Sequence, residues 1–327
     1  SKIFNHFNKS DDDILPDKLN INLYKKSELR YGENPHQRAG FYLKQHLESN
    51  LWKQHQGKEL SYNNYNDLES AFNIVNNFSD LACIIIKHAN PCGFGIGASL
   101  VSAYDRAVST DPVSYFGGIV GFNQAIDVEL AEKLVVPFLE CIIAPRISKE
   151  ALKVFSRKKN LRVLTLDQTN AFHDLSIKSS AGGFIIQEKD ILENRLDSFD
   201  IVTQRKINER EKRAMKIGWK IVKYVKSNAI VIANENQVLG IGAGQMSRVD
   251  SVKIAIRKIK EAGLSMNNAV LASDAFFPFP DSIELANEHG IKVIIQPGGS
   301  IKDQEVISKA NELDVSMVMT GSRHFYH

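Results

Sequence analysis

One short pattern occurs twice in this chain, and it constrains the fold more than any other feature. Gly95-Ile96-Gly97-Ala98 follows an apolar run and precedes a helical stretch, and Gly240-Ile241-Gly242-Ala243 does the same. Further on, Ile142-Ile143-Ala144-Pro145 is matched by Ile294-Ile295-Gln296-Pro297. The separations, about 145 and 152 residues, are nearly equal, as a duplication with small loop differences requires. A chain of 327 residues also exceeds what one core ordinarily absorbs, and about 150 residues per domain gives two. The expected organisation is a polar lead-in over 1–20, a first unit over 21–199 and a second over 200–327.

Between these landmarks strands alternate with helices. Leu81 to Ile86 is short, apolar and rich in β-branched residues, which marks a buried strand. Ile119-Val120 and Ile142-Ile143 are the kernels of two more. Asp67 is expected to open a helix with Leu68, Ala71, Phe72 and Val75 on one face, and Asp127 to cap a helix reaching about Pro137. In the second half Asn208 and Glu211 form a capping pair for a long helix. Strands follow at 229–233, 269–272, 292–295 and 315–319, with helices at 250–262, from Asp281, and before the last strand. The fold class is therefore α/β, with mixed or parallel sheets flanked by helices. Such sheets gather ligands at strand ends and domain junctions.

Composition narrows the function. Lys and Arg number 41 against 38 Asp and Glu, a net charge of +3 that is too slight for a general nucleic-acid or membrane binder. Hydrophobic residues at 43% with 24% charged exclude disorder as the main state. No apolar run approaches the roughly 18 residues of a spanning helix, and Ser1 to Asp13 lacks a signal-peptide core. Cys83, Cys92 and Cys141 form no CxxC pair and fit a reducing compartment. These features describe a soluble, cytoplasmic, enzyme-sized protein.

Several segments carry polar chemistry. Lys87-His88-Ala89-Asn90-Pro91-Cys92-Gly93 sits where the first buried strand ends. Lys87 and His88 share a pocket only if regular strand stops there, as Pro91 favours. Adjacent basic groups disfavour each other's charge, which suits a neutral imidazole accepting a proton beside an ammonium; the alternative is a solvated lysine and a histidine bonded to backbone. A zinc-deaminase reading fails on ligand count, because Asn90 stands where the glutamate belongs and Phe94-Gly95 replaces the second cysteine. The glycine segments 93–97 and 240–244 are read as tight strand-to-helix turns rather than a dinucleotide site, with backbone N–H groups free for an anion. Leu29 to Gln37 is a polar turn around Asn34-Pro35. Ser273 to Asp281 holds three phenylalanines and two prolines, a loop suited to a flat heterocycle or to packing under a helix capped by Asp281. Arg323-His324-Phe325-Tyr326-His327 follows an apolar strand directly, which points to a tail held in a pocket.

Together these segments, with Gly240 to Arg248 and Gln296 to Ser300, closely resemble the formyltransferase part of the bifunctional purine-biosynthesis family, the AICAR transformylases. They cover the chain from about residue 16 to the end, in family order. The resemblance implies a duplicated cytidine-deaminase-like fold and transfer of a formyl group from 10-formyltetrahydrofolate, as cosubstrate, to the 5-amino group of AICAR, giving FAICAR. It implies His88 as proton acceptor, Lys87 as charge stabiliser and Asn90 in support. It places AICAR contacts at Arg30, Tyr31, Phe116, Gly117, Glu140, Asn228, Arg248, Phe276 and Arg323. Glu140 stands where some members carry aspartate. Folate contacts fall at Val249, Phe279, Asp281, Ser300 and Ile301, with Arg323 shared, while Phe325 and His327 support the pocket. Catalysis needs no metal, and the family pattern is a homodimer with active sites across the interface.

One departure bears on scope. Family members carry a further N-terminal domain of about 200 residues, an ordinary domain size, that closes FAICAR to IMP. This sequence begins just before the transformylase motifs, so cyclohydrolase activity is not expected of it. The competing readings are a zinc-dependent nucleoside or nucleotide deaminase and an inactive nucleotide- or folate-binding module.

Overall fold

Both halves of the chain build the same sheet. The computed structural model describes residues 15–44, 52–166, 175–191 and 200–327, so residues 1–14 of the expected lead-in lie outside the described residues. An antiparallel hairpin, β1 (Leu23–Leu29) with β2 (Ala39–Lys44), comes first. The chain continues through β3 (Trp52–Gln56), α1 (Tyr62–Val75), β4 (Leu81–Lys87), β5 (Asn90–Gly97), α2 (Leu100–Thr110) and β6 (Ile119–Phe122). It then runs α3 (Val128–Leu134), β7 (Cys141–Ala144), α4 (Lys149–Phe155) and β8 (Arg162–Leu166). A second hairpin, β9 (Leu175–Ser180) with β10 (Gly183–Glu188), leads to β11 (Asp200–Ile201), α5 (Glu209–Val222), β12 (Ile230–Ala233) and β13 (Val238–Gly242). The last elements are α6 (Arg248–Glu261), β14 (Val270–Ser273), α7 (Asp281–Glu288), β15 (Val293–Gln296), α8 (Asp303–Glu312) and β16 (Ser316–Met319).

The first sheet has the spatial order β3-β8-β7-β6-β4-β5 and the second β11-β16-β15-β14-β12-β13. Directions agree strand for strand. β6, β7 and β8 are parallel, as are β14, β15 and β16. The β4–β5 and β12–β13 pairs are antiparallel, and each is joined antiparallel to its parallel block. The repeat read in the sequence is therefore one topology used twice, consistent with duplicated cytidine-deaminase-like units. The inner faces of both sheets, with α1 and α5, share one apolar core. Each outer face has its own core, one beneath α2, α3 and α4 and the other beneath α6, α7 and α8. The two sheets meet at β5 and β13, where the Ile96 N–H donates to Asn236 O at 2.8 Å.

Capping sets the helix starts. Asn208 and Glu211 form the expected reciprocal capping box, and Asp127 accepts the Leu130 N–H. Two starts differ from expectation. α1 begins at Tyr62, capped by Ser61, because Ser61 and Asn64 supply a reciprocal box upstream of Asp67. α7 has Pro280 in the cap position, so Asp281 is its first residue rather than its cap.

The glycine segments also differ. Gly93, Gly95 and Gly97 lie within β5, and Gly240 and Gly242 within β13, none with positive φ, whereas Gly244, in the connection from β13 to α6, has the expected positive φ of +67°. The role of the strand glycines is close approach. A Cβ at Gly93 would overlap the Ala107 carbonyl of α2, and one at Gly242 the Ser251 carbonyl of α6. At these positions the helix backbone covers the strand directly. Gly242→Ala is therefore expected to cost about 3 kcal/mol or more through overpacking, read as a lower urea midpoint at unchanged slope. A loss below about 0.5 kcal/mol would show that α6 can retreat.

Candidate active site

The Lys-His segment forms a turn of unusual backbone geometry. β4 ends at Lys87, β5 starts at Asn90, and these two residues pair across the hairpin. His88 and Ala89 between them have φ of +53° and +59°, the requirement of a two-residue hairpin turn. Each L-residue in that region costs roughly 1–2 kcal/mol, although histidine is enriched there among non-glycine residues. The chain thus reverses and re-enters the sheet instead of leaving it, and Pro91 sits inside β5 opposite Ile86, beside a bulge. Three hydrogen bonds hold the turn. The Ala89 N–H donates to Asp67 Oδ1 at 2.6 Å, Asn90 Nδ2 donates to His88 O at 3.2 Å, and Asn90 Oδ1 accepts the Lys226 N–H at 3.0 Å. His88 is exposed, while Ala89 is buried.

Beside it, Lys87 Nζ donates to Phe116 O at 2.5 Å. The neighbouring Gly117 has a φ of +66° and donates its N–H to Phe138 O, and a Cβ there would press on the Phe138 ring. Phe116 and Phe138 are exposed, with ring centroids 5.3 Å apart. Glu140, just before β7, accepts from Arg162 at 2.8 Å and from Asn64 Nδ2 at 3.5 Å. Burial pushes the Asp67 carboxyl up, with the Glu140 carboxylate adding to the shift and the Ala89 N–H and the Lys87 ammonium opposing it. Asn64, Asp67 and Ser70, three apart on α1, line one helix face and reach Glu140, Ala89 and Tyr326 in turn. The Arg30-Tyr31 turn docks on the same helix, with the Tyr62 N–H donating to Tyr31 O and Asn63 Nδ2 to Glu33 O. Arg30 is exposed, its guanidinium 5.3 Å from the Tyr31 ring.

The second half meets this turn through Lys226. Next to it, Ser227 Oγ donates to Asp274 at 2.5 Å, and Asn228 Nδ2 donates to Gln245 O and Met246 O. The buried Arg248 guanidinium binds Ser273 Oγ at 2.9 Å, Asn228 Oδ1 at 2.6 Å and the fully buried Asp274 carboxylate. The C-terminal tail is held by this cluster, as the His324 N–H donates to Asp274 O and the Ser227 N–H to Tyr326 O, both at 2.9 Å. His324 is buried edge-on against Trp219, and its Nδ1 lies 2.5 Å from Asp190 Oδ2. Alternation then exposes Arg323, Phe325 and His327, with the Arg323 guanidinium 4.8 Å from the Phe325 ring. Lys226 Nζ lies 4.0 Å over the Tyr326 ring. Burial raises the Tyr326 phenol, and the carboxylates of Glu69 and Asp67 add to the shift.

Of the aromatic-proline loop, Phe277 is buried, with its N–H on Gln296 Oε1, whereas Phe276 and Phe279 are exposed. Lys302 Nζ lies 4.4 Å over the Phe279 ring. Ser300 donates its N–H to Asp303, Ile301 is fully exposed, and Asp281 accepts from Ser282 N. Val249 is half-buried in the first turn of α6. The structure thus brings Lys87, His88, Asn90, Phe116, Gly117 and Glu140 together and joins them to Asn228, Arg248 and the tail. Among the described residues no hydrogen bond or ring contact links Phe279, Asp281, Ser300 or Ile301 to Lys87 or His88. Sequence reasoning missed Asn64, Asp67, Ser227 and Asp274. The first two were visible only as polar residues three apart at the start of an amphipathic stretch, with Asp67 read as a helix opener.

A cavity of about 260 Å³ adjoins Lys87, lined also by Cys92, Asp111, Gln245 and Lys258. Asp111 and Lys258 pair across it, and burial pushes the Cys92 thiol up to about 12, so it stays protonated at neutral pH. A larger cleft of about 740 Å³ lies at the far end of β5, among Ile96, Gly97, Ala98, Arg106, Lys216 and Lys220, and includes none of the residues expected to contact AICAR or folate. Among the described residues no cluster of His, Cys, Asp and Glu gathers to hold a metal, and no helix is long and apolar enough to cross a membrane.

Comparison with known proteins agrees with this architecture. Residues 1–258 match the family model described as AICARFT/IMPCHase bienzyme. The bifunctional purine biosynthesis protein PurH of Bacillus cytotoxicus is 48% identical over 329 residues, covering 99% of this chain. The proteins of the same name from Bacillus mycoides and Bacillus cereus are 48% and 47% identical over the same span. The chain spans about 64% of the length of these relatives. With the family model matched over most of its residues and a doubled sheet that carries the Lys-His turn, the chain belongs to the AICARFT/IMPCHase bienzyme family.

Proposed function

We propose that this chain transfers a formyl group from 10-formyltetrahydrofolate to the 5-amino group of AICAR. The observation that carries this reading is the His88-Ala89 turn, which presents an imidazole to solvent beside the Lys87 ammonium while Asn90 ties it to the segment holding the tail. An arylamine next to a carboxamide is a weak nucleophile. As its nitrogen bonds to the formyl carbon, His88 takes the amine proton, and the carbonyl oxygen gains negative charge that Lys87 offsets. The bond from the formyl carbon to the folate nitrogen then breaks, and that nitrogen recovers a proton.

Phosphate recognition divides the arginines. Arg248 is engaged on Asn228, Ser273 and Asp274, so it shapes the pocket. The exposed Arg30 and Arg323 offer paired donors to the nucleotide phosphate. Tyr31, Phe116, Gly117, Glu140, Asn228 and Phe276 complete the AICAR contacts, and Val249, Phe279, Asp281, Ser300 and Ile301 take the folate. The folate residues join His88 in a single site when two copies associate, so the active form is a homodimer, and each copy divides into its two units near residue 200. The test is an AICAR-dependent release of tetrahydrofolate by the purified chain. Multiple turnovers are expected, and their absence at saturating substrates would sink the reading.

A further inference from the structure

The hairpin that carries His88 is built without the residues such turns use. Both central positions have positive φ, which normally selects Asn-Gly or Asp-Gly, yet here they are histidine and alanine. Something outside the hairpin must therefore hold it. The donor left pointing away from the sheet is the N–H of buried Ala89, and it meets Asp67 Oδ1 at 2.6 Å. Asp67 is poorly suited to its own location. It sits in the middle of α1, where aspartate is a weak helix former, half-buried, and it caps nothing, because Ser61 performs that task six residues earlier. Lys87 and His88 face it from the hairpin, Glu140 from the start of β7, and Tyr326 from the tail.

We propose that Asp67 is a positioning residue: its hydrogen bond to the Ala89 N–H locks the turn in the backbone geometry that presents the His88 imidazole beside Lys87. The inference rests on the formyl-transfer reading for its kinetic consequence, but not for its structural one. Asparagine at this position keeps the acceptor and removes the charge, while alanine removes both.

Asp67→Ala is expected to lower kcat by about tenfold to hundredfold, the scale of a misplaced reacting group, with KM for AICAR changed less than about twofold. Asp67→Asn should recover kcat to within about fivefold of the parent. Independently of activity, hydrogen exchange at the Ala89 amide, followed by NMR, should be slow in the parent and in Asp67→Asn and faster by about a hundredfold in Asp67→Ala. Parental kcat in Asp67→Ala, an Asn variant as slow as the Ala variant, or an Ala89 amide equally protected in all three would overturn the proposal. If Asp67→Ala does not fold, Asp67→Asn decides alone: a kcat within fivefold supports the hydrogen bond, and a hundredfold loss overturns it. A parent chain that transfers no formyl group defeats the functional reading instead, and leaves the exchange comparison to judge the turn.

Discussion

Replacing His88 by alanine is expected to reduce formyl transfer by about 10²–10⁴-fold, the range for loss of a positioned general base, while the protein stays folded. The imidazole is exposed, so its removal leaves no cavity, and the hydrogen bonds that fix the turn join the Asp67 and Asn90 side chains to the Ala89 N–H and the His88 carbonyl, without the imidazole. The backbone at φ +53° does discriminate between replacements. Asparagine tolerates that region better than alanine, so His88→Asn preserves the turn more faithfully. Both variants should lose rate to a similar degree, because neither supplies a base. Steady-state kinetics with a thermal unfolding control reads this directly. A rate restored by asparagine would assign His88 to turn formation, and an unchanged rate in either variant would remove it from the mechanism.

The second large effect is on stability. Asp274→Ala is expected to cost about 3–5 kcal/mol, because it strands the buried Arg248 guanidinium without its carboxylate. Asp274 is fully buried, and its carboxylate also takes the Ser227 hydroxyl at 2.5 Å, beside the Ser227 N–H bond to Tyr326 O. The segment that joins the Lys-His turn to the tail therefore loses its anchor along with the ion pair. Urea unfolding gives the magnitude. A loss below about 1 kcal/mol would mean that solvent reaches Arg248 and the cluster is not a buried one.

How much of this was legible in the sequence follows from where the information sits. The strands of the repeat announce themselves because burial on both faces demands unbroken apolar runs such as Leu81 to Ile86, which became β4. The Asn208–Glu211 box was readable because both partners lie within one helical turn. The tail was recognisable as held, since an arginine, two aromatics and two histidines follow a buried strand. By contrast, β1, β9 and β10 are mostly exposed and β2 only half-buried, so no burial pattern marks these hairpins. The start of α1 was set five residues late, because its first turn is polar and its cap is a serine matched by an asparagine. The glycines of β5 and β13 look like turn glycines until α2 and α6 are placed across them. Nor could the sequence tie Asp67 to Ala89, 22 positions away, or reveal that Arg248 is engaged inside the protein. Those facts belong to tertiary contacts, and only the doubled sheet brings the partners together.

A crystal structure of the chain with AICAR bound measures the site most directly. The nucleotide should lie with its 5-amino nitrogen within hydrogen-bonding reach, about 2.6–3.2 Å, of the His88 imidazole, and with its phosphate on Arg30 or Arg323. AICAR seated instead in the cleft between Arg106, Lys216 and Lys220, with His88 facing solvent alone, would contradict the assignment of chemistry to the Lys-His turn.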